Sequence, residues 1–269
     1  MIIKLSSLVS CTLFALSSIA LGQAPATVFL EDLTWPELKQ QIDAGKSTII
    51  VPIGGTEQNG PHMALGKHNA RVRALAEKIA RELGNALVAP VIAYVPEGAV
   101  DAATGHMRFP GTVTIPEPAF ETVLEYAARS FKRHGFRDIV FIGDHGSYQK
   151  DEQVVADKLN REWAATPVRA HAILEYYKVT TTTYVDALKG RGFTAAEIGT
   201  HAGVADTSLT LALAPGMVRT DKLAHVAQPA GSDGVYGDPR RSTAEAGQVG
   251  VDAIVAASVA AIRKVTARR

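Results

Sequence analysis

The stretch Ser47-Thr48-Ile49-Ile50-Val51-Pro52-Ile53 runs directly into Gly54-Gly55-Thr56-Glu57-Gln58-Asn59-Gly60-Pro61-His62-Met63-Ala64-Leu65-Gly66-Lys67-His68-Asn69. The first part is a continuous apolar run of strand length, the pattern of a strand buried on both faces. The second part is a polar loop with one carboxylate and two imidazoles between glycines and a proline. The same grammar returns at residues 138–148, where the apolar run DIVFIG is followed by Asp144-His145-Gly146-Ser147-Tyr148. Helical periodicity fills the intervals, at residues 69–83, 117–134, 149–166, 206–214 and 242–267. Gly135 stands where a helix C-cap is expected. Further strands are expected at 86–94, interrupted by Pro90, and at 168–177. Strands alternating with helices predict a mainly parallel sheet covered on both faces. Ligands of such sheets bind beyond the carboxyl ends of the strands, where the two polar loops lie.

The chain has 269 residues, with 28 Lys and Arg against 27 Asp and Glu. Residues 1–22 read as a secretory signal peptide: Lys4, an apolar core near residues 8–21, then small residues, with cleavage expected after Gly22 or Ala24. The apolar run is short for a membrane span, so no stable insertion is expected after cleavage. Lys4 is the only charged residue of this leader, so the rest is neutral by formal count. No long basic run points to nucleic acid or an anionic membrane. The only cysteine, Cys11, lies in the leader. Thiol chemistry is therefore absent from the mature chain. Export to the periplasm is expected, with one domain over residues 27–269.

Three groups of residues carry candidate chemistry. Glu57 and His68 follow one strand and His145 follows another. Carboxylate oxygen and imidazole nitrogen suit a borderline divalent ion such as zinc, manganese or iron. Such an ion lowers the pKa of bound water and polarises a carbonyl. The spacing has no compact helical motif of the H-E-x-x-H kind. The second group is Thr200-His201-Ala202-Gly203-Val204-Ala205-Asp206. His201 is a candidate proton carrier, with Asp206 either orienting it or capping the next helix. The third is Gly105-His106-Met107-Arg108-Phe109-Pro110-Gly111-Thr112, a loop suited to cover a pocket. Asn59, His62, His106, Asp144 and Ser147 are candidates for contacting substrate or supporting the ligands. Neither Ser147 nor Ser208 sits in G-x-S-x-G, which argues against a serine nucleophile. His134 fits a helix C-terminus, and His171 and His225 fit structural or surface roles.

These segments together resemble the creatininase (creatinine amidohydrolase) family, from about residue 47 to residue 247. Five stretches match in order: Glu57–Leu65 with His68, Phe109-Pro110-Gly111-Thr112, Asp144-His145-Gly146, His201–Ser208, and Gly237-Asp238-Pro239. The resemblance implies a three-layer α/β/α sandwich, metal-dependent hydrolysis of non-peptide or cyclic C–N bonds in a small molecule, and a homo-oligomer, often a hexamer. It also implies two ions, one held at Glu57, His68 and His145, the other at Asn59, His68 and Ser147. This chain departs from the pattern at the second site. Asn59 replaces a histidine, His68 a bridging aspartate, and Ser147 an acidic residue. Imidazole does not bridge two ions as carboxylate does, so one ion is expected. Asp206 stands for a glutamate, and Val204 for a common acidic residue.

The leading expectation is an exported amidohydrolase that uses metal-activated water and His201 as proton shuttle. The altered second site and the leader argue for a substrate other than creatinine, such as a small lactam, amide or lactone. A catalytically degenerate small-molecule-binding protein on the same fold is the alternative. An iron oxygenase is a third reading, since two histidines and a carboxylate also hold iron(II).

Overall fold

The computed structural model describes residues 26–224 and 231–267. The expected leader, Cys11 and His225 lie outside the described residues.

Four strands form one parallel sheet: β1 (Thr48–Ile53), β2 (Ala86–Val88), β3 (Asp138–Gly143) and β4 (Arg169–Ala172), in spatial order β2-β1-β3-β4. Ile50 registers with Val88 on one side and Val140 on the other. The chain leaves β1 toward β2 on one side of the sheet, and β3 continues to β4 on the other. The crevice between the carboxyl ends of β1 and β3 is therefore the topological switch point, where α/β sheets place ligands.

Alternate residues of each strand feed two cores. Ile50, Val88, Val140 and Ile142 face the layer that contains α2 (Lys67–Leu83), α5 (Glu175–Thr181), α6 (Thr183–Gly190), α8 (Val204–Leu213) and α9 (Ala244–Thr266). Ile49, Val51, Ile139 and Phe141 face α3 (Glu117–His134) and α4 (Gln149–Glu162), with Leu38 and Ile42 of α1 (Trp35–Asp43) packed beside them. The result is a three-layer α/β/α sandwich. Both central strands are buried at every position, which explains their unbroken apolar runs. Among the described residues no helix is long and apolar enough to cross a membrane.

Two strand expectations are corrected. The run 86–94 enters the ladder only as Ala86–Val88, because Pro90 has no N–H to donate; Ile92 then makes a single bridge to Ile53. The run 168–177 stops at Ala172. Tyr176 and Tyr177 belong to helix α5, and Tyr176 turns its hydroxyl into the site below. The helix expected to reach residue 166 ends at Glu162. Short helices α1, α5, α6 and α7 (Ala195–Ile198) were not legible from periodicity.

Candidate metal centre at the strand switch point

The loop after β1 places Glu57 at the centre of the crevice, where it is wholly buried. Gly60, at φ +66°, turns the chain back, and a side chain there would collide with Val235. The chain then enters α2, whose first turn presents Lys67, His68 and Arg71 inward. His68 Nε2 lies 2.7 Å from Glu57 Oε1, and its Nδ1 lies 2.6 Å from Asp144 Oδ2. Asp144 directly follows β3; it also takes Arg71 Nε and Nη2, and Tyr176 donates its hydroxyl to Oδ1 at 2.8 Å. His145, the next residue, brings Nε2 to 3.7 Å from Glu57 Oε2.

Glu57, His68 and His145 thus converge, each offering a ligand atom within 4.8 Å of the others. Glu57 Oε2 is buried with no hydrogen-bond partner. A buried carboxylate oxygen left unpaired is costly, and a cation there would satisfy it. Two imidazole nitrogens and this carboxylate fit a zinc-, manganese- or iron-like ion. Burial raises the Glu57 pKa, but the His68 hydrogen bond and the charges of His68 and Lys67 outweigh it and hold the carboxylate well below its usual range. Burial pushes His145 down to about 4, so its nitrogen is neutral and able to ligate.

The imidazole tautomers can be read from the partners. The carbonyl of Pro96 can only accept, so the hydroxyl of Ser147, 2.8 Å away, donates to it. Ser147 Oγ must then accept from His145 Nδ1, also at 2.8 Å. The 3.3 Å approach of the Ser147 amide to Nδ1 is then a close pass. His145 is left with its Nε2 lone pair toward Glu57. Ser147 supports this ligand in a position where the resemblance expects an acidic ligand.

His201 also approaches Glu57, with Nδ1 3.8 Å from Oε1. It is fixed by backbone pairing with Tyr236. Gly199, Gly203 and Gly237 pack backbone to backbone around it, and a Cβ on any of them would meet main-chain atoms within 2.6 Å. Burial and the Lys67 charge depress His201 to about 3, keeping the ring neutral.

Asp206 does not orient His201. Its carboxylate is taken by Arg71 Nη1 at 2.7 Å, by Lys67 Nζ at 3.2 Å and by the Ala202 amide at 2.9 Å. It lies in the first turn of α8, whose N-cap is Gly203, so it is not the cap either. Two nearby cations win its oxygens over a neutral imidazole. Asn59 gives its amide protons to the carbonyls of Glu57 and Ala64. His62 turns to Thr207 on α8 and joins no candidate ligand group. His106 does reach the site, with Nε2 3.6 Å from Glu57 Oε2. Ser208 receives the Thr243 amide and His171 pairs with Asp138, both structural roles.

Sequence reasoning missed Lys67, Arg71, Glu97 and Tyr176. Lys67 and Arg71 share one face of α2 with His68 at i, i+4 and i, i+3 spacing, a signal present in the sequence. Glu97 carries no motif. It is buried, with Oε2 3.8 Å from His145 Nδ1, and burial with the Glu57 charge raises it to about 8.

Beside these groups opens a cavity of about 360 Å³, lined by Lys67, His68, His145 and His201 and by Tyr177, Thr180, Thr181, Tyr184 and Val185. Its size suits a small molecule.

The fold and site define an α/β protein with a candidate oxygen- and nitrogen-donor metal centre at the switch point of a parallel sheet. The chain belongs to the creatininase family: the creatinine amidohydrolase model matches residues 31–262. It is 29% identical over 206 residues to creatinine amidohydrolase of Pseudomonas putida, covering 73% of this chain and 76% of that one. It is 31% identical over 194 residues to the mycofactocin precursor peptide peptidase of Mycolicibacterium smegmatis, covering 68% of this chain and 65% of that one. A solved creatininase structure with manganese superposes with a TM-score of 0.73 at 25% identity, over 89% of this chain and 99% of that one.

Proposed function

We infer that the protein is a metal-dependent hydrolase of a C–N amide bond, open or cyclic, in a small molecule. The observation that carries this is the convergence of His68 and His145 on the two oxygens of buried Glu57, His68 on Oε1 and His145 on the unpaired Oε2, with His201 Nδ1 3.8 Å from Oε1. Membership in a family of amidohydrolases supports the reaction class. One divalent ion, zinc, manganese or iron, held by these three residues would supply an activated water and polarise the amide carbonyl. His68 is oriented by Asp144, and His145 by Ser147. His201, neutral and with a free Nδ1, accepts the proton of the attacking water. It then returns that proton to the leaving nitrogen. Asp206 serves indirectly, by anchoring Arg71 and Lys67.

The departures at Asn59, His68 and Ser147 support one ion rather than two, and a substrate other than creatinine. The leader-like residues 1–22 support export to the periplasm, and the resemblance supports a homo-oligomer, a hexamer by the family's habit.

Elemental analysis of the purified protein tests the centre. About one ion per chain is expected, lost in both Glu57→Ala and His145→Ala. Unchanged metal content in both variants would sink the assignment. Retained metal without turnover across an amide and lactam panel would favour the binding-protein alternative.

A further inference from the structure

Gln58 follows Glu57 and is buried. Its side-chain oxygen accepts the Gly60 amide at 2.9 Å. A backbone N–H can only donate, so this contact fixes which end of the carboxamide is oxygen. The nitrogen therefore lies at the other end, where it donates to the Gly234 carbonyl at 3.1 Å and meets His106 Nδ1 at 2.6 Å. An amide nitrogen has no lone pair to offer. His106 Nδ1 must accept, so the ring proton is on Nε2, facing Glu57 Oε2 across 3.6 Å.

The backbone carbonyl of Gln58 fixes a second ring. It lies 3.0 Å from His201 Nε2 and can only accept. The Gln58 amide nitrogen also passes 3.2 Å from Nε2, but its two protons go to the Gly234 carbonyl and His106 Nδ1, so His201 carries its proton on Nε2. The two rings are turned oppositely. His106 presents an N–H toward the Glu57 carboxylate, and His201 presents a lone pair. Their centroids are 4.1 Å apart, and both line a recess that also contains His145, Thr200 and Tyr236.

The trio Glu57, His106 and His201 has metal-like spacing. Gln58 denies it the lone pair on His106 Nε2 that a ligand would need. Because His106 Nδ1 accepts from Gln58, the ring holds one proton and is neutral. A neutral imidazole N–H donates a hydrogen bond without giving up its proton, and so can polarise a carbonyl.

We propose that His106 is the hydrogen-bond donor to the substrate's carbonyl oxygen, and that Gln58 is the positioning residue that fixes His106 as donor and His201 as acceptor. This rests on the hydrolytic reading above. As the water oxygen bonds to the carbonyl carbon, the C=O π pair moves onto oxygen, where His106 Nε2–H holds it. The water proton passes to His201 Nδ1. When the tetrahedral intermediate collapses, the C=O re-forms, the C–N bond breaks and its pair stays on nitrogen, which takes the proton from His201. His106 keeps its own proton throughout.

The test uses zinc-loaded protein with 15N-labelled histidine, read by two-bond proton–nitrogen correlation. His106 is expected as a single Nε2–H tautomer, its signals assigned by their loss in His106→Gln. In Gln58→Met it becomes a mixture, while His201 keeps its tautomer through the Gln58 backbone carbonyl. Phenylboronic acid, which forms a tetrahedral oxyanion, then probes the donor by calorimetry. His106→Ala is expected to weaken it about 100-fold, and His106→Gln, which keeps an N–H donor, to restore most of that loss. Zinc content stays equal throughout. An Nδ1–H tautomer for wild-type His106, or equal boronate affinity in wild type and His106→Ala with zinc bound, overturns the proposal and leaves the hydrolytic reading standing. Failure of the wild type to retain zinc overturns both.

Discussion

His68 and His145 face the same Glu57 carboxylate and are held by opposite means. His68 sits on a helix turn, is buried, and has a carboxylate on each ring nitrogen. Its partner Asp144 is itself tied by Arg71 and Tyr176. His145 sits on a turn beyond β3, is partly exposed, and is fixed through one serine hydroxyl. The carboxyl facing its Nδ1, Glu97, is 3.8 Å away and leaves Oε1 without a partner. The first half is an interlocked charge network, and the second is adjustable. A centre built this way has one rigid ligand that sets position and one yielding ligand that can follow an ion or substrate.

Asp144→Asn tests the rigid half and should have the largest effect. It removes the charge paired with buried Arg71 and lets His68 reorient. A loss of about 3–5 kcal/mol is expected in denaturant unfolding, with metal affinity about 100-fold lower. A loss no greater than that of a surface substitution would mean the network is not interlocked.

Glu97→Gln tests the adjustable half through pH. Between pH 4.5 and about 8 the folded chain keeps a proton on Glu97 that the unfolded chain has released. Folded stability therefore falls as pH rises through that window. Glu97→Gln removes this loss, so its Tm in chelator-treated protein should gain on wild type as pH rises from about 5 to about 8.5. A constant Tm difference across this range would show that Glu97 is ionised in the folded state.

Ser147→Ala should have the smallest effect. The side chain is exposed, so stability should change by about 0.5 kcal/mol or less. Metal affinity should fall about 10-fold as His145 loses its tautomer constraint. A loss equal to that of Asp144→Asn would erase the distinction between the halves.

Legibility in the sequence followed the same division. The runs 48–53 and 138–143 announced both central strands, because burial on two faces leaves a continuous apolar word. Glu57, His68 and His145 were visible as ligand types at strand ends. Edge strands β2 and β4 were overextended, since an apolar run does not show where its ladder partner stops. Glu97 was invisible, since only folding brings residue 97 beside residue 145. Asp206 was misread because its oxygens are claimed by Lys67 and Arg71, and competition for a carboxylate is settled by distance. Gln58 stood in the quoted loop throughout; its role emerged only when each of its contacts could be sorted into donor and acceptor.

The glycine junction behind His201 bears on how this protein can change over generations. Gly199, Gly203 and Gly237 leave no volume for a side chain, and the backbone there is pinned by Tyr236. That junction is closed to innovation, since a side chain there would push on the backbone that carries His201. Thr180, Thr181 and Val185 also line the cavity and hold no part of the centre. New substrates would be acquired there, by drift at a few permissive positions, while the chemistry is inherited unaltered.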